Sequence, residues 1–363
     1  MNKLIEYKNL IAFHPGSYVN DIIEEMGITQ EEFAKRMGIS AKLISELING
    51  KTELSNDTAL KLSRLTGVSI DTWMNIQKAY EKKIIEIKDE KELDKEKEII
   101  ELIDYSYFVK NGLLEDIKRD KAKWVKDLRE LVGVTSLDLL RKQDLFVNFR
   151  NPSGKFEEKN IINSNIMMQL AVNKANSADV SEFNKKKLEK FIPEIRKMTV
   201  ERPKIFYPKL VKGFSDCGIA FVLLPNLPRS GINGAVKKLG KNRVLLLLND
   251  RNKSADIFWF SLFHEIGHVI NDDFYVNLTG QDDQKNQFEI EADLFAREIL
   301  IDGKEYHDFI TNRDLNKRNI EQFAEEQGLH PGIVIGRLQN DKYLARSSLN
   351  NMKENYRIIM NNN

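Results

Sequence analysis

The segment His264-Glu265-Ile266-Gly267-His268 sets two imidazoles four residues apart, a spacing that puts them on one face of a helix. Both can reach a single cation. Glu265 lies about 100 degrees around the same helix, where its carboxylate can face a water held by that cation. Such a site suits Zn(II), which takes nitrogen and oxygen ligands and, in hydrolytic sites, keeps one position open for water. A third protein ligand is needed, and the acidic helix predicted over 288–296 is the donor at hand. On it Glu289 and Glu291 are two apart and so roughly on opposite faces. The apolar arc of Phe288, Ala292, Phe295, Ala296, Ile299 and Leu300 takes in Glu289, whereas Glu291 falls outside it near Glu298. The face argument favours Glu289. Asp293, four residues on, can accept a hydrogen bond from a histidine's second ring nitrogen. The plainer alternative is a pair of core histidines beside a salt bridge, against which stand the intervening Glu and the second acidic helix.

Few other soft ligands exist. His14 and His330 each precede a proline and read as surface residues, and His307 lies beyond the second helix, where approach to the cleft as a transition-state donor is the alternative to the simpler reading of a residue with no part in the chemistry. The single cysteine, Cys217, rules out an intramolecular disulfide or a multi-cysteine metal site and fits a reducing compartment.

These side chains need elements to hold them. Residues 255–270 are apolar on nearly every side, which marks a helix buried on most of its circumference, and Gly267 lets another backbone approach it closely. The short apolar runs 218–225 and 243–249, with 234–238 between them, predict strands of a small sheet. A polar loop rich in Asp, Asn and Gln leads to the second helix, expected over 287–300. Beyond it, 312–363 suggests two or three more helices and a frayed end.

A chain of 363 residues is longer than one ordinary core absorbs, so two or three units are expected. Apolar residues at 41% and charged residues at 31% argue against wholesale disorder. With 56 Lys plus Arg against 55 Asp plus Glu, bulk charge gives no argument for nucleic-acid binding. Any such contact must be local. The opening residues lack a signal-peptide pattern, and the longest apolar runs are too short to span a bilayer, so a cytoplasmic protein with no membrane partner is expected.

A local candidate exists. Residues 18–80 read as short helices with corners at Gly27, Gly38, Gly50 and Gly67, and with caps at Thr29 (paired with Glu32), Ser40, Ser55 and Ser69. Ala34, Gly38 and Ile44 sit where a tight helix-turn-helix needs a small residue, a permissive corner and an apolar anchor. The second helix, 40–49, would enter the major groove, with Ser40, Ala41, Lys42, Ser45 and Glu46 facing out and Lys51 suited to phosphate. Residues 1–80 hold nine Lys plus Arg against ten Asp plus Glu, a net of −1. Affinity would then rest on dimerisation and be salt-sensitive. A helical protein-interaction module is the alternative. The charged run 81–98 reads as a solvated helical connector, and 99–198 as mostly helical, interrupted by a polar stretch over 148–165. No internal repeat is evident.

The histidine helix and the segment Glu289-Ile290-Glu291-Ala292-Asp293-Leu294-Phe295-Ala296 resemble the ImmA/IrrE metallopeptidases, strongly over 218–338. The N-terminal corner resembles the lambda-repressor-like (XRE) class, particularly HigA-type antitoxins. The resemblance implies zinc held by His264, His268 and Glu289, catalysis by Glu265, and endoproteolysis of a regulatory protein. One departure is Ile301-Asp302, where many members have Met-Pro, which touches the shape of the substrate cleft. The expected architecture is α+β and mostly helical. An all-α DNA-binding bundle over 1–80 is followed by the connector 81–98. A helical region with a zincin-like domain and small sheet covers 99–310, and a helical extension covers 311–363. The expected partners are double-stranded operator DNA of its own operon, a repressor or other regulator as protein substrate, and a second copy in a homodimer. The rival reading is a non-enzymatic antitoxin whose peptidase-like domain grips a toxin or senses a signal.

Overall fold

The computed structural model describes residues 4–142, 145, 157–275 and 282–360, with the backbone alone at 275 and 282–286. The chain divides into two compact units, Met1–Glu98 and Ile99–Asn363.

The first unit is not purely helical. Strands β1 (Leu4–Tyr7) and β2 (Leu10–Phe13) form an antiparallel hairpin. It goes unseen in the sequence because each strand has only four residues and its turn uses Lys8, at a φ of 53°, instead of glycine. Helices α1 (Pro15–Glu25), α2 (Gln30–Met37), α3 (Ala41–Ile48) and α4 (Asn56–Thr66) follow. Their starts are capped as expected, with the Thr29, Ser40 and Ser55 hydroxyls accepting from Glu32, Leu43 and Thr58 amides. Phe33, Ala34, Ile44, Leu47, Leu62 and Trp73 fill the core. Helix α5 (Ile70–Ile100) carries the charged run. Its distal part is not simply solvated, since Lys8 pairs with Glu90 and Asp94, the Tyr7 hydroxyl donates to Asp94 at 2.5 Å, and Ile87 and Leu93 are buried.

The second unit begins with α6 (Tyr105–Lys110) and α7 (Lys121–Val132), then α8 (Glu158–Asn176), α9 (Lys185–Lys197) and α10 (Pro203–Asp216). Of the polar stretch predicted to interrupt the helices, 148–156 lies outside the described residues, Glu157 precedes α8, and 158–165 is helix. Asn163, Ser164 and Asn165 are buried in α8, where their side chains donate to the carbonyls of Leu102, Ser230 and Leu140. Polar residues there satisfy irregular backbone from within a helix, which composition alone reads as a loop.

Strands β3 (Ile219–Leu224), β4 (Gly234–Leu239) and β5 (Arg243–Asn249) build the expected sheet in the order β3-β5-β4. β3 runs parallel to β5, and β4 is an antiparallel edge. The uniform apolar character of β3 and β5 reflects burial on both faces. Helix α11 (Ala255–Ile270) lies against this sheet with Trp259, Leu262, Phe263 and Ile266 at 0% exposure. Helix α12 (Asp282–Leu300) starts five residues before the expected Gln287; the end of the preceding polar loop, 276–281, lies outside the described residues.

Helices α13 (Gly303–Asn312), α14 (Lys317–Gln327) and α15 (Pro331–Asn340) complete the unit. The residues expected as a separate extension share the core, because Ile320, Phe323, Val334, Ile335 and Leu338 pack in the same cluster as α11. Nor is the tail frayed through 360. The Ala255 amide donates to the Glu354 carbonyl at 2.9 Å, and the Tyr356 amide to that of Lys253 at 2.7 Å.

Candidate metal centre and nucleic-acid interface

Helix α11 delivers both histidines from one face, and their Nε2 atoms stand 2.9 Å apart. Helix α12 crosses closely because position 267 is glycine. A Cβ there would lie 3.1 Å from the Ala292 Cα. That approach sets Glu289 over the pair, with carboxylate oxygens 3.3 Å from His264 Nε2 and 3.5 Å from His268 Nε2. His264, His268 and Glu289 thus place one ligand atom each within 4.8 Å of the others. Glu291 turns away and accepts from Gln287 at 2.8 Å.

The outer ring nitrogens are also held. His264 Nδ1 meets Asp293 at 2.7 Å, and His268 Nδ1 meets the buried Asp273. Protons on both Nδ1 atoms leave both Nε2 atoms as electron-pair donors, directed at each other and at a carboxylate. A cation satisfies such a donor set, so the residues fit a metal ion of the zinc type. Burial pulls the His264 pKa down, but the bonds to Asp293 and Glu289 outweigh it and push the value up to about 10, so a cation ligated by Nε2 has to displace a proton from that atom.

Asp273 is the site residue missed in the sequence. It lies five residues past His268 in the short turn Asp273–Tyr275, outside any periodic element, and the only signal was the Asn271-Asp272-Asp273 cluster itself. Gly234 is the second. A Cβ at the start of β4 would lie 2.7 Å from Glu265 Oε1, so the edge strand's backbone abuts the carboxylate. His307 is exposed on α13 and is not in the cluster.

His14 and His330 are not plain surface residues. Each begins a His-Pro-Gly triplet and caps a helix, its Nδ1 accepting from the Gly16 or Gly332 amide at 3.0 and 3.1 Å. His14 is 2% exposed, and burial lowers its pKa. The departure at Ile301-Asp302 has a structural role. Ile301 is buried, and Asp302 caps α13 by accepting from the Lys304 and Glu305 amides.

In the first unit, Ala41 and Lys42 are exposed on α3, and Ser45 and Glu46 are half-buried beside them. Ser40 spends its hydroxyl capping the helix, Lys42 pairs with Glu46 at 3.8 Å, and Lys51 is exposed past the helix end. The corner between α2 and α3 places Gly38 at a φ of 65°, a value costly for other residues.

A helical corner of this kind and a sheet-backed His/Glu cluster define a helix-turn-helix protein with a peptidase-like second unit. The helix-turn-helix family profile matches residues 20–73, and that of the IrrE N-terminal-like domain, a peptidase family, matches 231–338. The chain belongs to the XRE-type helix-turn-helix family, fused here to an ImmA/IrrE-type domain. It is 35% identical over 66 residues to an uncharacterised HTH-type transcriptional regulator, YddM of Escherichia coli, covering 18% of this chain and 70% of that one. It is 39% identical over 59 residues to antitoxin HigA-1 of Vibrio cholerae, covering 16% and 55%. A solved addiction module antidote protein of a HigA family from Coxiella burnetii is 27% identical, covering 23% of this chain and 91% of that one at a TM-score of 0.21.

Proposed function

We propose that this protein is a DNA-binding regulator whose second unit is a zinc-dependent endopeptidase acting on a regulatory protein, in trans or on itself. The observation that carries this reading is the convergence of His264, His268 and Glu289, with each histidine oriented by its own aspartate. In this reading His264, His268 and Glu289 hold Zn(II), while Asp293 and Asp273 fix the imidazoles. Zinc, when bound, acidifies a water molecule and polarises a carbonyl group. Glu265 accepts the water's proton and returns it to the leaving amine. Its position against the Gly234 backbone keeps the carboxylate at the sheet edge. Among the described residues β4 pairs with β5 alone, which leaves its other edge able to align an extended peptide beside Glu265.

The test joins metal analysis to proteolysis. Glu265→Gln is expected to retain stoichiometric zinc and to lose cleavage of its repressor, as chelator treatment of the native protein does. Zinc present with no chelator-sensitive cleavage of any partner would favour the non-enzymatic antitoxin, a reading for which the HigA-1 likeness of the first unit speaks. For the DNA-binding unit, α3 is the reading helix, with Ala41, Lys42, Ser45 and Glu46 facing the groove, Ser40 at its start and Lys51 at phosphate. The protein binds as a homodimer in the cytoplasm. Mobility shift with promoter DNA of its own operon should appear at low salt and weaken in Lys42→Glu. Absence of a shift with a folded dimer would point to an interaction module.

A further inference from the structure

A cavity of about 520 Å³ opens in the second unit between α10, the ends of β3 and β5, the first half of α11 and residues 356–360. None of His264, Glu265, His268 and Glu289 lines it, although Ser261 in its wall stands one turn ahead of His264 and Leu248 lies with Glu265 against Gly234. Its size is that of pockets which enclose small organic molecules. The floor is apolar. Phe206, Phe258 and Tyr356 form a ring trio with centroids 5.5 to 6.1 Å apart, and Leu248 closes the base.

The lining is strongly one-signed. It holds Lys174, Lys204, Lys253 and Arg357 against the single carboxylate of Asp250. That carboxylate is engaged by backbone, accepting from the Asn226 and Ile358 amides at 2.8 and 3.0 Å. Among the described residues none of the four cations has an ion-pair partner, in a protein where surface lysines pair freely with neighbouring acids. Desolvation lowers the Lys174 pKa with no carboxylate to offset it. Lys253, in the cavity wall, holds a φ of 53°, a value uncommon for a side-chain-bearing residue.

We propose that this cavity is a binding site for an amphipathic organic anion, a carboxylate or phosphate monoester on an alkyl or aromatic body. The body lies on the aromatic floor, and the head group meets the cationic rim. Uncompensated cations around an apolar pocket repel one another, and an anion with an apolar body relieves that repulsion while covering the exposed floor.

The test is calorimetric titration of the full-length protein with decanoate, decyl phosphate and neutral decanol. One-to-one binding of at least one anion, with decanol at least tenfold weaker, is expected, and whichever anion binds identifies the head group. In the triple variant Lys174→Gln, Lys204→Gln, Arg357→Gln, whose sites are exposed, the anion's advantage over decanol should vanish with the fold retained by circular dichroism. Ser261→Phe, which fills the cavity, should abolish binding of anion and alcohol alike. No saturable binding of either anion, equal binding of decanol, or a triple variant that binds as the native protein does would each overturn the proposal.

Discussion

Glu265 is 7% exposed, and its carboxylate is wedged against position 234. Gly234→Ala would place a methyl 2.7 Å from Oε1 and 2.8 Å from the Leu248 side chain, so the carboxylate has to move. On the proposed reading we expect turnover to fall on the order of a hundredfold, the usual cost of an ångström's misplacement, with zinc content unchanged because none of His264, His268 and Glu289 is touched. Parallel metal analysis and peptidase assay check this; loss of zinc along with activity would refute it. At this scale the sequence was most informative where residues share a helix. The faces of α11 and α12 follow from 3.6-residue periodicity, which is why Glu289, Asp293 and the two histidines could be read in advance. Asp273 and Gly234 reach the site from a turn and a strand start, where no periodicity relates them to α11, and only tertiary packing brings them there.

Elements act here through two close crossings. Gly267 lets α12 approach α11, and Gly16 lets α1 approach α3, where a Cβ would fall 1.9 Å from the Leu47 carbonyl oxygen. Gly267→Val is expected to push α12 outward, lowering stability by about 1–3 kcal/mol and separating Glu289 from the histidines. Urea unfolding together with zinc stoichiometry measures both, and an unchanged stoichiometry would argue against the crossing as the element that assembles the site. The end of α12 is itself held by Arg196 and Arg337, whose guanidinium groups donate to carbonyls between Arg297 and Ile301.

The helix-turn-helix corner is used twice. Phe33, Ala34, Gly38 and Ile44 of the first unit have counterparts in Phe323, Ala324, Gly328 and Val334, with both corner glycines at left-handed φ. The sequence holds this short repeat, but the intervening chemistry differs enough to hide it. In the second copy α15 is buried against α11, and a Cβ at Gly336 would meet Asp256, so that helix serves as core and not as a groove reader. The β1–β2 hairpin shows the opposite limit, since four-residue strands carry too little alternation to be told from a loop.

At the scale of the whole molecule, near-neutral charge hides local imbalance. The cationic cavity rim and the slightly acidic N-terminal unit cancel in the total of +1. No helix among the described residues is long and apolar enough to cross a membrane. The tail stabilises the second unit through Lys353, whose ammonium meets the buried Asp256 carboxylate at 2.7 Å and Gln339 at 2.8 Å. Lys353→Met leaves that carboxylate without its cation, and a loss of roughly 3 kcal/mol is expected. Thermal or urea denaturation reads it directly; a change within 0.5 kcal/mol, the ordinary surface range, would mean the pair contributes little.

Fastening α11 from the tail also sets an order of events during synthesis. Asp256 waits for a residue made 97 positions later, whereas every contact of the helix-turn-helix core closes within the first unit. Domains fold as they emerge, N-terminal first. A nascent chain therefore gains its helix-turn-helix corner well before its histidine helix is pinned, so a ribosome stalled short of Lys353 holds a folded first unit whose peptidase-like second unit still lacks that contact.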